Sequence, residues 1–296
     1  MSIMHENKLF YLSTGSYDED WGIVVTTVGS QSIPPCTNYP PAQHPDSHRF
    51  TPEKGRIFNE YQLIYITKGR GWFSSQSVKK KQKVTAGTMI LLFPGEWHSY
   101  EPDTSTGWNE YWVGFRGMHI DNRVKNGFFS KEEPLYYIGV SSSVVGLYED
   151  IIRIARKEKT GYQQMISSIV LSILGTVYYK NKNRQYTDTY IVDKINEARN
   201  IIKNNIEGTL SQEDIAKKIG LGYSWYRRMF KEYTGVSPAQ YQLQQKLMKV
   251  KELLTTTNKN ISEIAYSLHF ENVCQFSTFF KKKEGITPSE FRKRAH

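Results

Sequence analysis

Up to about residue 140 the apolar positions fall in short runs broken by turn formers. GIVVTTVG (Gly22–Gly29), YQLIYITKG (Tyr61–Gly69), GTMILLFPGEWH (Gly87–His98) and YWVGF (Tyr111–Phe115) are rich in β-branched and aromatic residues, with Gly, Pro, Asn and Asp between them. Such runs predict strands and turns. From Ser143 to Asn181 the spacing lengthens to that of helices. Val145, Tyr148, Ile151, Ile152 and Ile154–Ala155 make one stripe; Met165, Ile169, Leu171–Ser172, Ile173–Leu174 and Val177 make a second. Tyr179–Thr189 (YKNKNRQYTDT) has almost no apolar anchor and reads as a linker. Beyond it every stripe is helical. The pattern divides the chain into a strand-rich domain over 1–142, a helical pair over 143–181, a linker over 182–190 and an all-helical domain over 191–296.

The helical domain contains an internal repeat. SQEDIAKKIGLGYSWYRRMFKEYTGVSPAQY begins at Ser211, and NISEIAYSLHFENVCQFSTFFKKKEGITPSEF begins at Asn260. Ser211 pairs with Asn260, Asp214 with Glu263 and Ile215–Ala216 with Ile264–Ala265, all 49 residues apart. Past the turn the offset is 50, matching Phe230–Lys231 with Phe280–Lys281, Gly235 with Gly285 and Pro238 with Pro288. One copy thus has one more residue in its turn. Ser211 and Asn260 are N-cap types followed three residues later by an acid, a capping box. Ile–Ala supplies bulk beside a small residue where a second helix can cross. Gly235 and Gly285 fit a left-handed helix stop, and Ser237-Pro238 with Gln240, like Thr287-Pro288 with Glu290, restarts a helix. Each copy is therefore helix, turn, helix, stop, and Pro238–Thr255 is a continuous helix between them. A generic bundle requires no such repeat and does not explain Arg227 and Arg228 on the second helix of the first unit.

Charge adds a partner. The formal net charge is +10; residues 191–296 hold 18 Lys and Arg against 11 Asp and Glu, while residues 1–190 hold 21 against 18. The excess over the last third suits phosphates, though a solvated basic face has the same composition. Cys36 and Cys274 lie in different segments and read as reduced thiols. No run approaches the roughly eighteen apolar residues of a membrane span, and the opening MSIMHENKLFYL lacks a secretory pattern, so the expected location is the cytoplasm.

From about Ile191 to Arg294 the chain resembles the DNA-binding domain of the AraC/XylS regulators. The motifs YRRMFKEYTGVSPAQY and IAYSLHF…FKKKEGITPSEFRKR carry the likeness. The resemblance implies two helix-turn-helix units whose second helices enter neighbouring major-groove segments about 34 Å apart. Helical geometry then sorts the side chains. Tyr226 and Phe230 face the core, leaving Ser224, Arg227 and Arg228 outward, where arginine can bind guanine bidentately or clamp phosphate. Trp225, at the edge, fits packing or DNA equally. In the second unit Phe276 and Phe280 face inward and Val273, Cys274, Ser277, Thr278 and Lys281 outward. Lys231 and Asn272 complete the candidate DNA-binding set. The family usually has Gly at the position of His269 and often a basic residue near Thr278. With Ser and Thr on its reading face, the second unit should read bases weakly and the first should dominate specificity.

In the first domain GTMILLFPGEWHSYEPD (Gly87–Asp103) carries a Gly…Pro-Gly-x-x-His pattern typical of a cupin, with EYQLIYITKGRG ahead of it. That preceding stretch lacks the His-x-His of metallocupins, so His98 has no partners for a metal site, and no metal or other cofactor is expected. Residues 20–120 or so resemble the sugar-sensing arm of the same family, including GWNEYWVGFRG. Sugar pockets combine aromatic faces with a few polar groups. The candidates are Arg56, Trp97, His98, Tyr100, Glu110 and Trp112. Glu110 and Trp112 share a strand face and Tyr111 takes the other. Trp97, Trp108 and Trp112 fit the barrel core equally well.

The expected fold is two-domain α+β: a cupin-like β-barrel, two helices, then an all-α domain with two helix-turn-helix units. The expected function is a ligand-responsive transcription activator sensing a sugar or related molecule, acting as a homodimer on double-stranded DNA through RNA polymerase. The helices over 143–181 fit a dimer interface or packing onto the barrel. The alternative is a ligand-independent regulator with a filled barrel. No acid–base, nucleophile or metal constellation supports an enzyme.

Overall fold

In a computed structural model, residues 7–37, 39, 51–78, 80–185, 189–208 and 210–295 of the chain are described. Two compact units divide at Gln185 and Tyr186. The first contains nine strands: β1 (Lys8–Tyr11), β2 (Val24–Ile33), β3 (Arg56–Ile57), β4 (Tyr61–Ser75), β5 (Gln82–Thr85), β6 (Thr88–Leu92), β7 (Trp97–Pro102), β8 (Trp108–Arg116) and β9 (Leu135–Tyr137). Short helices α1 (Ser16–Glu19) and α2 (Met118–Lys125) interrupt them, and α3 (Ser142–Ala155) and α4 (Tyr162–Gln185) follow. The run Gly87–His98 is divided by a turn at Pro94-Gly95 into β6 and β7, with Gly95 at φ 72°.

All pairings are antiparallel, in the order β1-β2-β8-β4-β6-β9. The ladder does not close into the expected barrel. Strand β4 is the reason: residues 61–69 pair with β8 while residues 70–75 pair with β5 and β7, with a register shift between Ile66 and Lys68. One strand thus serves two ladders and bends the sheet without joining its edges.

Alternation along the central strands gives each face its own core. Leu63 and Tyr65 (β4), Met89 and Leu91 (β6), and Tyr111, Val113 and Phe115 (β8) pack against α3 and α4. Their neighbours Ile64, Ile66, Ile90, Leu92 and Trp108 face the inside of the fold with Phe73, Val84 and Tyr100. Both faces being covered, these strands read as continuous apolar runs. The helical stripes shift slightly from expectation. Val144 is buried where Val145 was expected, and Met165 is exposed while Ile166 and Val170 are buried. Helix α4 also seals a backbone edge. β1 pairs with β2 only from Thr27 to Ser30, and Gln163 takes the place of a strand at Val25, accepting from its N–H (3.1 Å) and donating to its carbonyl (2.9 Å).

Helix α4 runs to Gln185, into the stretch read as linker; α5 (Thr189–Asn204) starts the second unit, and residues 186–188 lie outside those described. There follow α6 (Gln212–Lys218), α7 (Tyr223–Thr234), α8 (Pro238–Thr256), α9 (Ile261–Ser267), α10 (Val273–Glu284) and α11 (Pro288–Ala295). The expected caps form. Asp214 N–H donates to Ser211 Oγ (3.1 Å) and Ser211 N–H to Asp214 Oδ2 (3.0 Å), with Asn260 and Glu263 repeating the pair at 2.8 and 2.7 Å. Gly235 and Gly285 stop α7 and α10 at φ 81° and 79°. The turns are alike as well: Leu221 N–H reaches Ala216 O and Phe270 N–H reaches Ala265 O, the six-to-one bond of a Schellman stop. The extra residue of the second copy therefore lies after Phe270, ahead of α10. Two cores result. One gathers Ile195, Ala198 and Ile202 of α5 with Ile215, Tyr226, Phe230 and Tyr241; the other gathers Val250, Leu254, Ile264, Leu268, Phe276 and Phe280.

Candidate functional site

In the first unit a small interior cavity of about 20 Å³, enough for one water, is lined by Leu9, Thr27, Gln31, Arg56, Gln62, Tyr100, Glu110 and Trp112. Four of the six sequence candidates line it: Arg56, Tyr100, Glu110 and Trp112. Gly29 lies across the ladder from Trp112, and a Cβ there would lie 2.3 Å from the indole, so the tryptophan needs a glycine opposite.

Glu110 is the polar centre. It is 3% exposed and accepts a hydrogen bond at Oε1 from Gln31 Nε2, its cross-strand neighbour. Among the described residues its Oε2 has no partner, nor does Thr27 Oγ1. Burial pushes its carboxyl up to about 7, against the opposing effects of the Gln31 hydrogen bond and the Arg56 charge. Near neutrality the carboxyl can thus donate as well as accept. Arg56 stacks over Phe58 (4.3 Å) and Tyr100 (5.2 Å) and donates to the Tyr100 hydroxyl. Burial raises the Tyr100 phenol to about 12.

His98 and Trp97 fall outside this lining. His98 is 1% exposed; its Nδ1 donates to Glu96 O (3.0 Å), its ring lies parallel to Tyr100 at 6.3 Å, and Nε2 has no partner among the described residues. Burial, then the Arg56 charge, holds its pKa down to about 4, so the ring is neutral. Trp97 alternates to the opposite face of β7, where it donates to Lys54 O (2.9 Å) and lines a surface cleft with Trp72, Lys81 and Glu101. Trp108 is core, 1% exposed. Sequence reading missed Thr27, Gln31 and Gln62. The available signal was a polar side chain inside an otherwise buried strand, as in VVTTVGSQSI and EYQLIYI. Among the described residues no cluster of His, Cys, Asp and Glu is placed to hold a metal ion.

In the second unit the buried pair Tyr226 and Phe230 turns Ser224, Arg227, Arg228 and Lys231 of α7 to solvent, with Trp225 half-buried. Neither arginine forms an ion pair among the described residues. Phe276 and Phe280 do the same for α10, exposing Thr278 and Lys281 and leaving Ser277 half-buried. Asn272 is the N-cap of α10, accepting from Gln275 N–H (2.8 Å), which commits its side chain to the helix. His269 takes up the left-handed conformation (φ 55°) that Gly220 holds in the first turn (φ 73°). Its Nε2 donates to Glu207 O at 2.8 Å.

Residues 38–174 match the family model of the AraC-like ligand binding domain, and residues 215–294 match a helix-turn-helix domain. The Msm operon regulatory protein of Streptococcus mutans is 26% identical over 250 residues, 80% of this chain and 85% of that one. The lactose operon transcription activator of Staphylococcus xylosus is 27% identical over 243 residues, with the same shares. The raffinose operon regulatory protein RafR of Pediococcus pentosaceus is 22% identical over 251 residues, 82% and 88% of the two chains. A match to the AraC-like ligand binding domain, joined in one chain to a matching helix-turn-helix domain, places this protein in the AraC family of transcription regulators.

Proposed function

We propose that this regulator is switched by a neutral carbohydrate held at Glu110, and that it reads DNA mainly through Arg227 and Arg228 on α7. The observation that carries the effector reading is the polar cluster of the cavity. Among the described residues Glu110 Oε2 and Thr27 Oγ1 are buried without partners in a cavity also lined by Trp112, and a sugar supplies hydroxyls for the first two and C–H surface for the third. The names of the lactose and raffinose operon relatives point the same way. The cavity has to widen to take a ring, so binding and a change of the sensor domain go together, and the effector acts only through its different affinity for the two forms.

Activation, contact with RNA polymerase and a homodimer form part of this reading; the exposed Met165 on α4 is a surface a partner copy could cover. Melting the full-length protein with a panel of neutral mono- and disaccharides tests the effector. A raised midpoint with one sugar, lost in Glu110→Ala, is expected. The small cavity favours a second reading, a ligand-independent regulator whose sensor interior is filled by its own side chains, and no shift with any sugar would favour it.

A further inference from the structure

We propose that His269 is a positioning residue that fixes the spacing between the two DNA-reading helices by tying the second helix-turn-helix to the first half of the domain. The inference rests on the DNA-binding reading above. Three observations carry it. First, His269 is the one non-glycine residue at positive φ among the described residues of the second unit. The first repeat makes the same stop, with the same pair of backbone bonds, using Gly220. A side chain with a Cβ is strained in this region and glycine is not, so the turn itself gains nothing from histidine.

Second, the imidazole makes a contact no glycine can make. Its Nε2 donates to the carbonyl of Glu207, 62 residues earlier and just beyond α5, whose buried residues belong to the first core. Third, the surroundings are already shared between the halves. Ile206, beside Glu207, packs into the second core. One residue before His269, the Leu268 carbonyl accepts from Lys246 Nζ of the connecting helix α8 (3.0 Å), and the Lys246 ammonium lies 5.5 Å over the ring of Phe270. The turn of the second unit is therefore pinned on both sides, to the segment after α5 by His269 and to α8 by Lys246. With Thr278 exposed and Ser277 half-buried, α10 offers little base readout, so its contribution is geometric: held at a set distance from α7, it measures the site.

The test uses the full-length protein and a DNA duplex selected by the wild type from a random pool, together with versions carrying two base pairs inserted between the half-sites, a rotation of roughly 70°. Failure of the wild type to select any duplex would refute the DNA-binding reading itself and is thereby distinguished from failure of the inference. His269→Gly removes the tether and relaxes the backbone, so it should melt at or above the wild-type temperature. His269→Asn tolerates the left-handed backbone but is too short to reach Glu207, and it serves as an independent second variant. Wild type should lose roughly tenfold or more in affinity on insertion, and both variants should lose much less while binding the parent duplex more weakly. Undiminished discrimination between the two spacings in the variants would overturn the proposal.

Discussion

At the scale of single residues, the sensor interior sets two titrating groups against each other. His98 has its pKa lowered from 6.5 to about 4, so the stability it contributes is present above the unfolded value and lost as pH falls from 6.5 through 4. Glu110 is raised from 4.5 to about 7, so its contribution is present below 4.5 and lost as pH rises through 7. The slopes are opposite and cover nearly the same window. Wild-type stability should therefore be almost flat between about pH 4.5 and 6.5, and each single variant should uncover the other's slope. Glu110→Gln should make melting acid-sensitive; His98→Gln should make it fall as pH rises. Tryptophan fluorescence reports this unit, since five of the six tryptophans lie in it. A pH profile of Glu110→Gln parallel to wild type would refute the account. That Glu110 and Trp112 share one face was legible from alternation along one strand; that this face points inward was implied only by the family resemblance. Gln31 was not, because its importance comes from lying across the ladder from Glu110, and strand register is a long-range property.

At the scale of elements, the two units that look alike in sequence are built differently inside. In the first, the buried Tyr226 hydroxyl donates to Gln212 Oε1 (3.0 Å) and Gln212 Nε2 donates to Gln242 Oε1 (2.7 Å), joining α6, α7 and α8. The second has Ile261 and Phe276 at the positions of Gln212 and Tyr226. Tyr226→Phe leaves the Gln212 carbonyl oxygen unpaired in the core and should cost about 1–3 kcal/mol in urea unfolding of this unit. Adding Gln212→Ile, which copies the second unit, should recover most of the loss; a double variant no better than the single would show that the polar link is not the cause. The caps give a calibrated comparison, Ser211→Ala and Asn260→Ala each lowering stability by about 1 kcal/mol. Caps, stops and restarts were readable because they are local, decided by residues three or four apart. The open ladder was not, because closure depends on how β4 divides its pairing between two sets of partners. The same limit explains Met165 and Ile166: a stripe's period was legible, but its phase is set by the sheet it lies on.

At the scale of the whole molecule, basic charge and the proposed DNA-reading residues are distributed unequally. Arg227→Ala should weaken binding to a selected duplex by about 1–3 kcal/mol and relax sequence preference, with Thr278→Ala costing less; competitive titration measures both, and a larger loss from Thr278 would refute the unequal roles. The sensor domain has its own connection from inside to outside. Glu110 faces the cavity, while the next residue, Tyr111, faces the helices, its hydroxyl donating to Glu149 of α3 at 2.9 Å and its ring 5.7 Å from Tyr148. One strand lies between cavity and helices here, so Glu110 and Tyr111 hang from opposite sides of it, like two pans on a beam. A tug on one side is a load on the other, with no intervening packing to absorb it. An effector held at Glu110, as proposed above, would need no relay of side chains to act on α3.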